Sequence, residues 1–113
     1  MMRTRNQPAR LALLADWIDE NKLRLPDEAP WIEVKPHGGT ELVWHMTGRD
    51  DLAREALDRI TESFGRGVAH EKPGIVSSWS RWSPADAPDL VVHYSAAVAR
   101  ERELNARYEG VAR

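Results

Sequence analysis

One segment, "TGRDDLAREALDRITESFGRG" at residues 47–67, constrains the fold of this chain more than any other. Its apolar side chains recur at intervals of three and four, which places them along one face of a helix. Thr47 and Asp50 suit the start of such a helix, while Gly65 and Gly67 suit its end. The apolar stripe consists of Ala53, Ala56, Leu57, Ile60 and Phe64. Because a one-sided helix must bury its stripe against another element, the segment predicts a layered domain.

A second amphipathic helix is predicted near the start of the chain, over residues 8–22. Its apolar side chains also follow helical spacing, Pro8 is tolerable in the first turn, and Pro26 lies beyond the last turn. The residues of this stripe are Leu11, Leu14, Ala15 and Ile18. The segment "LPDEAP" is then expected to be a loop, because its two prolines cannot continue a helix.

The remaining elements are predicted to be strands. Residues 31–36 and 40–46 form a hairpin around "HGG", because glycine reaches positive φ without steric cost. After the second helix, "GIVSSWSRW" and "LVVHYSA" form two further strands, joined by the loop "SPADAPD". The tail "AAVARERELNARYEGVAR" has two open interpretations. It is a helix by residue propensity, or residues 91–98 continue the last strand and the end is disordered.

This order of elements predicts an α+β fold in two layers. Two helices pack on one face of a mainly antiparallel sheet of three or four strands, in the order α-β-β-α-β-β, and the conformation of the C-terminal tail stays uncertain. The length of 113 residues predicts a single domain over residues 1–113. Residues 1–7 and 103–113 are expected to be disordered.

Composition excludes several kinds of function. The chain has no cysteine, which removes disulfides, thiolate nucleophiles and zinc-thiolate sites. The formal net charge is −2, with acids and bases interspersed, so neither a nucleic-acid-binding surface nor an acidic mimic of DNA is indicated. No apolar run is long enough to span a bilayer, and no signal-peptide core follows "MMRTR". We therefore expect a cytoplasmic protein that has no membrane segment.

Residue types that often carry catalysis occur here without the spacing that catalysis needs. The four histidines lack metal-binding spacing, although pairing of adjacent strands is expected to bring His45 and His93 into contact. The serines of the third strand lack a nucleophile elbow and are typical of the solvent face of a strand. The residues concerned are His37, His45, His70 and His93, and Ser77, Ser78, Ser80 and Ser83. We expect no metal, no cofactor and no enzymatic activity.

The unusual feature is the set of five tryptophans, beside one phenylalanine and two tyrosines. Trp79 and Trp82 are three positions apart in a predicted strand, so their side chains point to opposite faces of the sheet. If the helices cover one face, one of the two indoles is exposed, and the sequence leaves open which. A bulge or a folded-back tail that hides both is the competing interpretation. Since tryptophan and arginine are enriched at protein interfaces, the predicted partner-binding residues are Trp79, Arg81, Trp82 and Trp31.

Two segments, "RLALLADWIDEN…LP" and "TELVWHMTGRDDLAREALDRITESFG", precede a short hairpin and an Arg/Glu-rich end. In this arrangement the chain resembles a group of small proteins encoded by actinobacterial phages and integrated mobile elements. The resemblance covers most of residues 8–100. It implies an origin more than an activity, and it favours a strand over residues 89–98.

Together these observations predict a non-enzymatic accessory protein of a phage or mobile element, acting in the host cytoplasm. It would bind a host protein or pair with itself through a sheet edge or face. The alternative is a module for single-stranded nucleic acid, in which sheet-face aromatics stack on bases while Arg81, Arg66 and Lys72 meet phosphates. The net charge argues against nucleic-acid binding.

Overall fold

The computed structural model describes residues 2–36, 39–71, 77–85 and 87–111, with side chains described from residue 9 to residue 108 within those ranges. The elements confirm an α+β fold. In chain order they are α1 (Met2–Asn21), a 3-10 turn (Lys22–Arg24), β1 (Trp31–Val34), β2 (Thr40–His45), α2 (Asp50–Phe64), β3 (Val68–Glu71), β4 (Ser77–Trp82), β5 (Asp89–Ser95) and α3 (Ala96–Val111).

The five strands form one sheet in the order β1-β2-β5-β4-β3, so the expectation of three or four strands was too low. The additional strand is β3, which pairs antiparallel with β4 at one edge of the sheet. Its four residues are all exposed. A strand with no buried face needs no alternation of apolar and polar residues, and that alternation is what identifies a strand in a sequence. The sheet is mainly antiparallel as predicted, but β2 and β5 at its centre are parallel. The intervening α2, β3 and β4 supply the long crossover that a parallel pair requires.

Both interpretations of the C-terminal tail are partly correct. The strand β5 ends at Ser95 and α3 continues to Val111. Ser95 explains the change, because its hydroxyl accepts a hydrogen bond from the backbone N–H of Val98 at 3.3 Å and so caps the helix. The expectation of a strand through residue 98 was therefore wrong, because β5 ends at Ser95. Over the described residues α1 begins at Met2 and α3 passes residue 103, while disorder at residues 1–7 and 103–113 stays a prediction.

The core lies between the helices and one face of the sheet. The predicted stripe of α2 is confirmed, because four of its members are buried and Phe64 is partly buried against Trp17 of α1. The sheet contributes Leu42, Trp44, Met46, Leu90, Val92, Tyr94 and Trp82, and the helices contribute Leu14, Ala53, Ala56, Leu57, Ile60 and Val98. All of these strand residues share one parity within their strands, so the layer of helices covers one face.

Charged side chains hold the layer of helices together. Arg54 of α2 donates to the carboxylate of Glu101 on α3, at 2.9 Å from its terminal nitrogen. This hydrogen bond, together with the negative charge of Glu101, raises the pKa of Arg54.

Every helix within the described ranges is too short or too polar to cross a bilayer.

Candidate functional site

The sheet face turned away from the helices, here called the open face, carries a line of rings that crosses all five strands. Each strand contributes one ring to this aromatic row, and from one edge to the other the members are Trp31, His45, His93, Trp79 and His70. Adjacent ring centroids are 5.1 Å apart for Trp31 and His45, and 5.1 Å apart for His45 and His93. They are 6.4 Å apart for His93 and Trp79, and 4.0 Å apart for Trp79 and His70. The row is thus a continuous surface of aromatic rings.

Strand register explains why these rings meet. His45 pairs with His93, His93 pairs with Trp79, and Trp79 pairs with His70, so the side chains stand side by side on one face. The parallel pairing of β2 with β5 aligns the two imidazoles almost flat against each other, with an interplanar angle of 8°. The contact expected between His45 and His93 is confirmed.

Beside the row lies a buried carboxylate that forms ion pairs with two cations. Glu41 is 5% exposed, and its Oε2 lies 2.6 Å from a terminal nitrogen of Arg81 and 3.0 Å from the Nζ of Lys35. The guanidinium of Arg81 also lies over the ring of Trp79, at 5.1 Å from its centroid. Both of these cations are therefore already engaged within the protein.

Exposure differs along the open face. Trp31 at the β1 edge is 67% exposed, and Val68 on β3 is 63% exposed. Trp79 and His93 in the middle are half-buried. Such a graded apolar and aromatic surface is typical of a protein contact that has its best-packed residues near the centre.

The structure separates the four predicted partner-binding residues. Trp31, Trp79 and Arg81 lie on the open face, as the alternation of β4 requires. Trp82 does not, because its indole is 4% exposed, packs in the core and donates its Nε1–H to the carbonyl of Gly65 at 2.8 Å. The prediction that Trp82 belongs to a partner surface is therefore wrong, because its indole is buried on the side of the sheet that the helices cover.

The cations proposed to meet phosphates do not gather on the open face. Arg81 is paired with Glu41, and Arg66 lines a cleft on the side of the helices. Lys72 lies outside the described residues, as does His37. Within the described part of the chain, no three histidine or acidic side chains are grouped so that they could hold a metal ion. What the open face offers is ring stacking and apolar contact.

Two serines are placed differently from the expectation for a solvent-facing strand. Ser78 and Ser80 are buried on the side of the helices, 2% and 6% exposed. The Oγ of Ser80 lies 2.5 Å from the hydroxyl of Tyr94. The signal that could have identified them is parity, because they share a face of β4 with the core residue Trp82.

Comparison of the chain with protein-family models, with curated proteins and with solved structures finds no match. We therefore infer the function of this chain from the physical chemistry of the open face and of the side of the sheet that the helices cover.

Proposed function

We propose that this protein acts without catalysis, by protein–protein interaction, and that its open face binds a second copy of the chain. The observation that supports this most directly is the aromatic row, which presents five contacting rings on a face that the helices leave free. Aromatic side chains contribute large apolar areas at little cost in conformational entropy when they enter an interface. The resemblance to phage-encoded proteins adds an expected origin and a cytoplasmic setting, which stay predictions.

The order of rings in the row suits a twofold contact. The strand β5 is the middle of five strands, so a twofold axis parallel to it and above His93 exchanges β1 with β3 and β2 with β4. Trp31 then lies opposite the His70 of the second copy, and His45 lies opposite its Trp79. Each of these pairs joins an indole to an imidazole, as the neighbouring pairs within one chain do. A surface that complements itself in this way is what a symmetric dimer requires.

The charges of the open face favour a protein over a polyanion. Glu41 pairs with both Lys35 and Arg81, and with Glu33 on the same face the four formal charges sum to zero, so covering them together buries no net charge. Glu33 lies next to Glu41 in the pairing of β1 with β2 and adds a further acid to the same face. Binding to nucleic acid depends on cations that are free to meet phosphates.

The size of the open face sets the expected strength of the contact. Five strands about 4.8 Å apart and about six residues long present roughly 500 Å² in projection. A standard stable interface buries about 800 Å² on each partner. The exposed Val68 at the β3 edge of the open face adds to the available apolar area. We therefore expect a reversible dimer with a dissociation constant on the order of 1–10 μM.

The test is analytical ultracentrifugation of the wild type over a dilution series, beside Trp79→Ala and Trp31→Ala. Tyr108→Ala is the matched control, because Tyr108 is an aromatic residue on α3 that is 73% exposed and lies away from the open face. We expect the two variants of the row to weaken dimerisation by at least about tenfold. The control should dimerise as the wild type does.

A wild type that stays monomeric at about 100 μM would overturn self-association, and so would a dimer that Trp79→Ala leaves intact. A monomer that binds a labelled single-stranded oligonucleotide, with loss of binding in Trp79→Ala, would replace self-association with the alternative function. Thermal unfolding of each variant, followed by circular dichroism, shows that the fold is retained.

A further inference from the structure

On the side of the sheet that the helices cover, a cleft of about 750 Å³ lies between α3, the end of α2 and the strands β3 and β4. Its volume falls in the range of small-molecule sites in proteins. The apolar part of its lining includes Leu57, Trp82 and Ala99, and the polar part includes Ser78, Ser80 and Tyr94. The cleft lies on the other side of the sheet from the open face, because these residues of β4 and β5 point to that side. At the β3 edge, His70 of the aromatic row also borders the cleft.

Small side chains create this cleft. On the floor, Ala69 and Ser80 lie in register with Val92 and Trp44, and Ser78 lies in register with Tyr94. On the α3 side the lining includes Ala99 and Ala106, whose methyl groups fill little of the space beside the sheet. Empty apolar volume in a core is costly, but a cleft with polar walls accepts water or a ligand.

A buried hydroxyl at the floor indicates that the cleft accepts a polar group. Ser78 is 2% exposed, and its Oγ has no hydrogen-bond partner among the described groups. The neighbouring hydroxyls of Ser80 and Tyr94 bond to each other and leave Ser78 without a bond. Since buried polar groups are almost always hydrogen-bonded, an acceptor on a bound molecule would complete the site.

The cations at the cleft define the charge of that molecule. Three acids are among the described lining residues. Asp58 and Glu103 are paired, with Arg102 at 2.7 Å and with Arg107 at 2.8 Å respectively, whereas Glu71 forms no ion pair within the described ranges. Two lining cations, Arg66 and Arg100, form no ion pair there either, so the unpaired side chains of the cleft carry one positive charge in excess of Glu71. Guanidinium groups bind carboxylates well, because their donors match both oxygens.

We propose that this cleft binds a small organic carboxylate whose body is apolar. The apolar body lies against Leu57, Trp82 and Ala99, the carboxylate is held from the arginine side of the cleft, and Ser78 donates to an acceptor on the ligand. The site does not depend on the proposed dimer, because it uses the opposite side of the sheet. We therefore expect the cleft to bind its ligand in a monomer and in a dimer alike.

The experiment is titration of the 15N-labelled protein with phenylacetate, followed by amide chemical shifts at Ser78, Ser80 and Ala99. We expect saturable shifts at these positions, with a dissociation constant of about 1 mM for so small a probe. The double variant Arg66→Gln/Arg100→Gln should weaken binding by at least about tenfold. Arg24→Gln is the matched control, because Arg24 is an exposed cation of the 3-10 turn that does not line the cleft.

Neutral phenylacetamide distinguishes an anion site from an apolar hollow. We expect phenylacetamide to bind at least about tenfold more weakly than phenylacetate. Equal binding of the two probes would overturn the carboxylate assignment, as would unchanged binding in the double variant. The absence of saturable shifts up to about 20 mM phenylacetate would overturn the site as a whole. Both arginines are replaced by glutamine, which removes the positive charge and keeps a polar side chain, and the amide spectrum itself shows that each variant is folded.

Discussion

Trp79 and Trp82 lie three positions apart on β4, and their indoles lie on opposite faces of the sheet. Trp79 stacks on His70 with ring centroids 4.0 Å apart. Trp82 packs among core residues and donates to the carbonyl of Gly65 at 2.8 Å. One short strand thus supplies an anchor for the core and a ring for the surface.

Substitution of these two indoles should therefore have unequal effects on stability. Trp82→Ala removes a buried ring and leaves a cavity, which should lower the free energy of unfolding by about 3–5 kcal/mol. Trp79→Ala removes a half-buried ring from the open face and should cost about 1 kcal/mol. Urea denaturation followed by circular dichroism measures both. Equal losses in the two variants would contradict the placement of the indoles.

The sequence predicted those parts of the fold that depend on local periodicity. The stripe of α2 was correct because Ala53, Ala56, Leu57 and Ile60 repeat at helical spacing and face one layer. The opposite orientation of the two indoles on β4 follows from alternation alone, so it was also predictable. Which indole is buried was not, because that depends on which side of the sheet the helices occupy.

The parts that the sequence did not predict depend on contacts between distant segments. The aromatic row requires β5 to lie between β2 and β4, an order that no local pattern encodes. The strand β3 has no buried residue and is defined by its pairing with β4 alone. Ser78 and Ser80 were expected to face solvent, because small polar residues in a strand rarely line the inner side of a sheet.

Gly67 is predicted to be intolerant of a side chain. A Cβ at Gly67 would lie 2.6 Å from the indole of Trp82, which is closer than real Cβ contacts allow. The ring is rigid and is anchored by its hydrogen bond to Gly65, so Gly67→Ala should lower stability by about 1–3 kcal/mol. Gly39→Ala is the matched control, since a Cβ at Gly39 meets nothing within 4 Å. Thermal unfolding that is the same for both variants would contradict this packing.

Glu41 is predicted to stabilise the open face by forming ion pairs with two cations. Glu41→Gln keeps the shape of the side chain but leaves Lys35 and Arg81 without their shared carboxylate. Because Glu41 is 5% exposed while both cations are partly in solvent, we expect a loss of about 1–3 kcal/mol. Glu33→Gln, at the exposed position paired with Glu41, should change stability by less than about 0.5 kcal/mol. Chemical denaturation at low salt measures the difference, and equal effects would show that Glu41 contributes no more than a surface charge.

The two buried serines of β4 should respond differently to the same substitution. Ser80→Ala removes the partner of the buried Tyr94 hydroxyl, 2.5 Å away, and should lower the free energy of unfolding by about 1–2 kcal/mol. Ser78→Ala removes a hydroxyl that has no partner among the described groups, so stability should stay within about 0.5 kcal/mol or rise. Both residues lie on the same strand and the same face, so the comparison isolates the hydrogen bond from the loss of volume. Urea denaturation of the ligand-free protein provides the measurement. A loss at Ser78 equal to that at Ser80 would show that the Ser78 hydroxyl is already hydrogen-bonded in the free protein. Ser78 would then have no hydroxyl group available to donate to a ligand in the cleft.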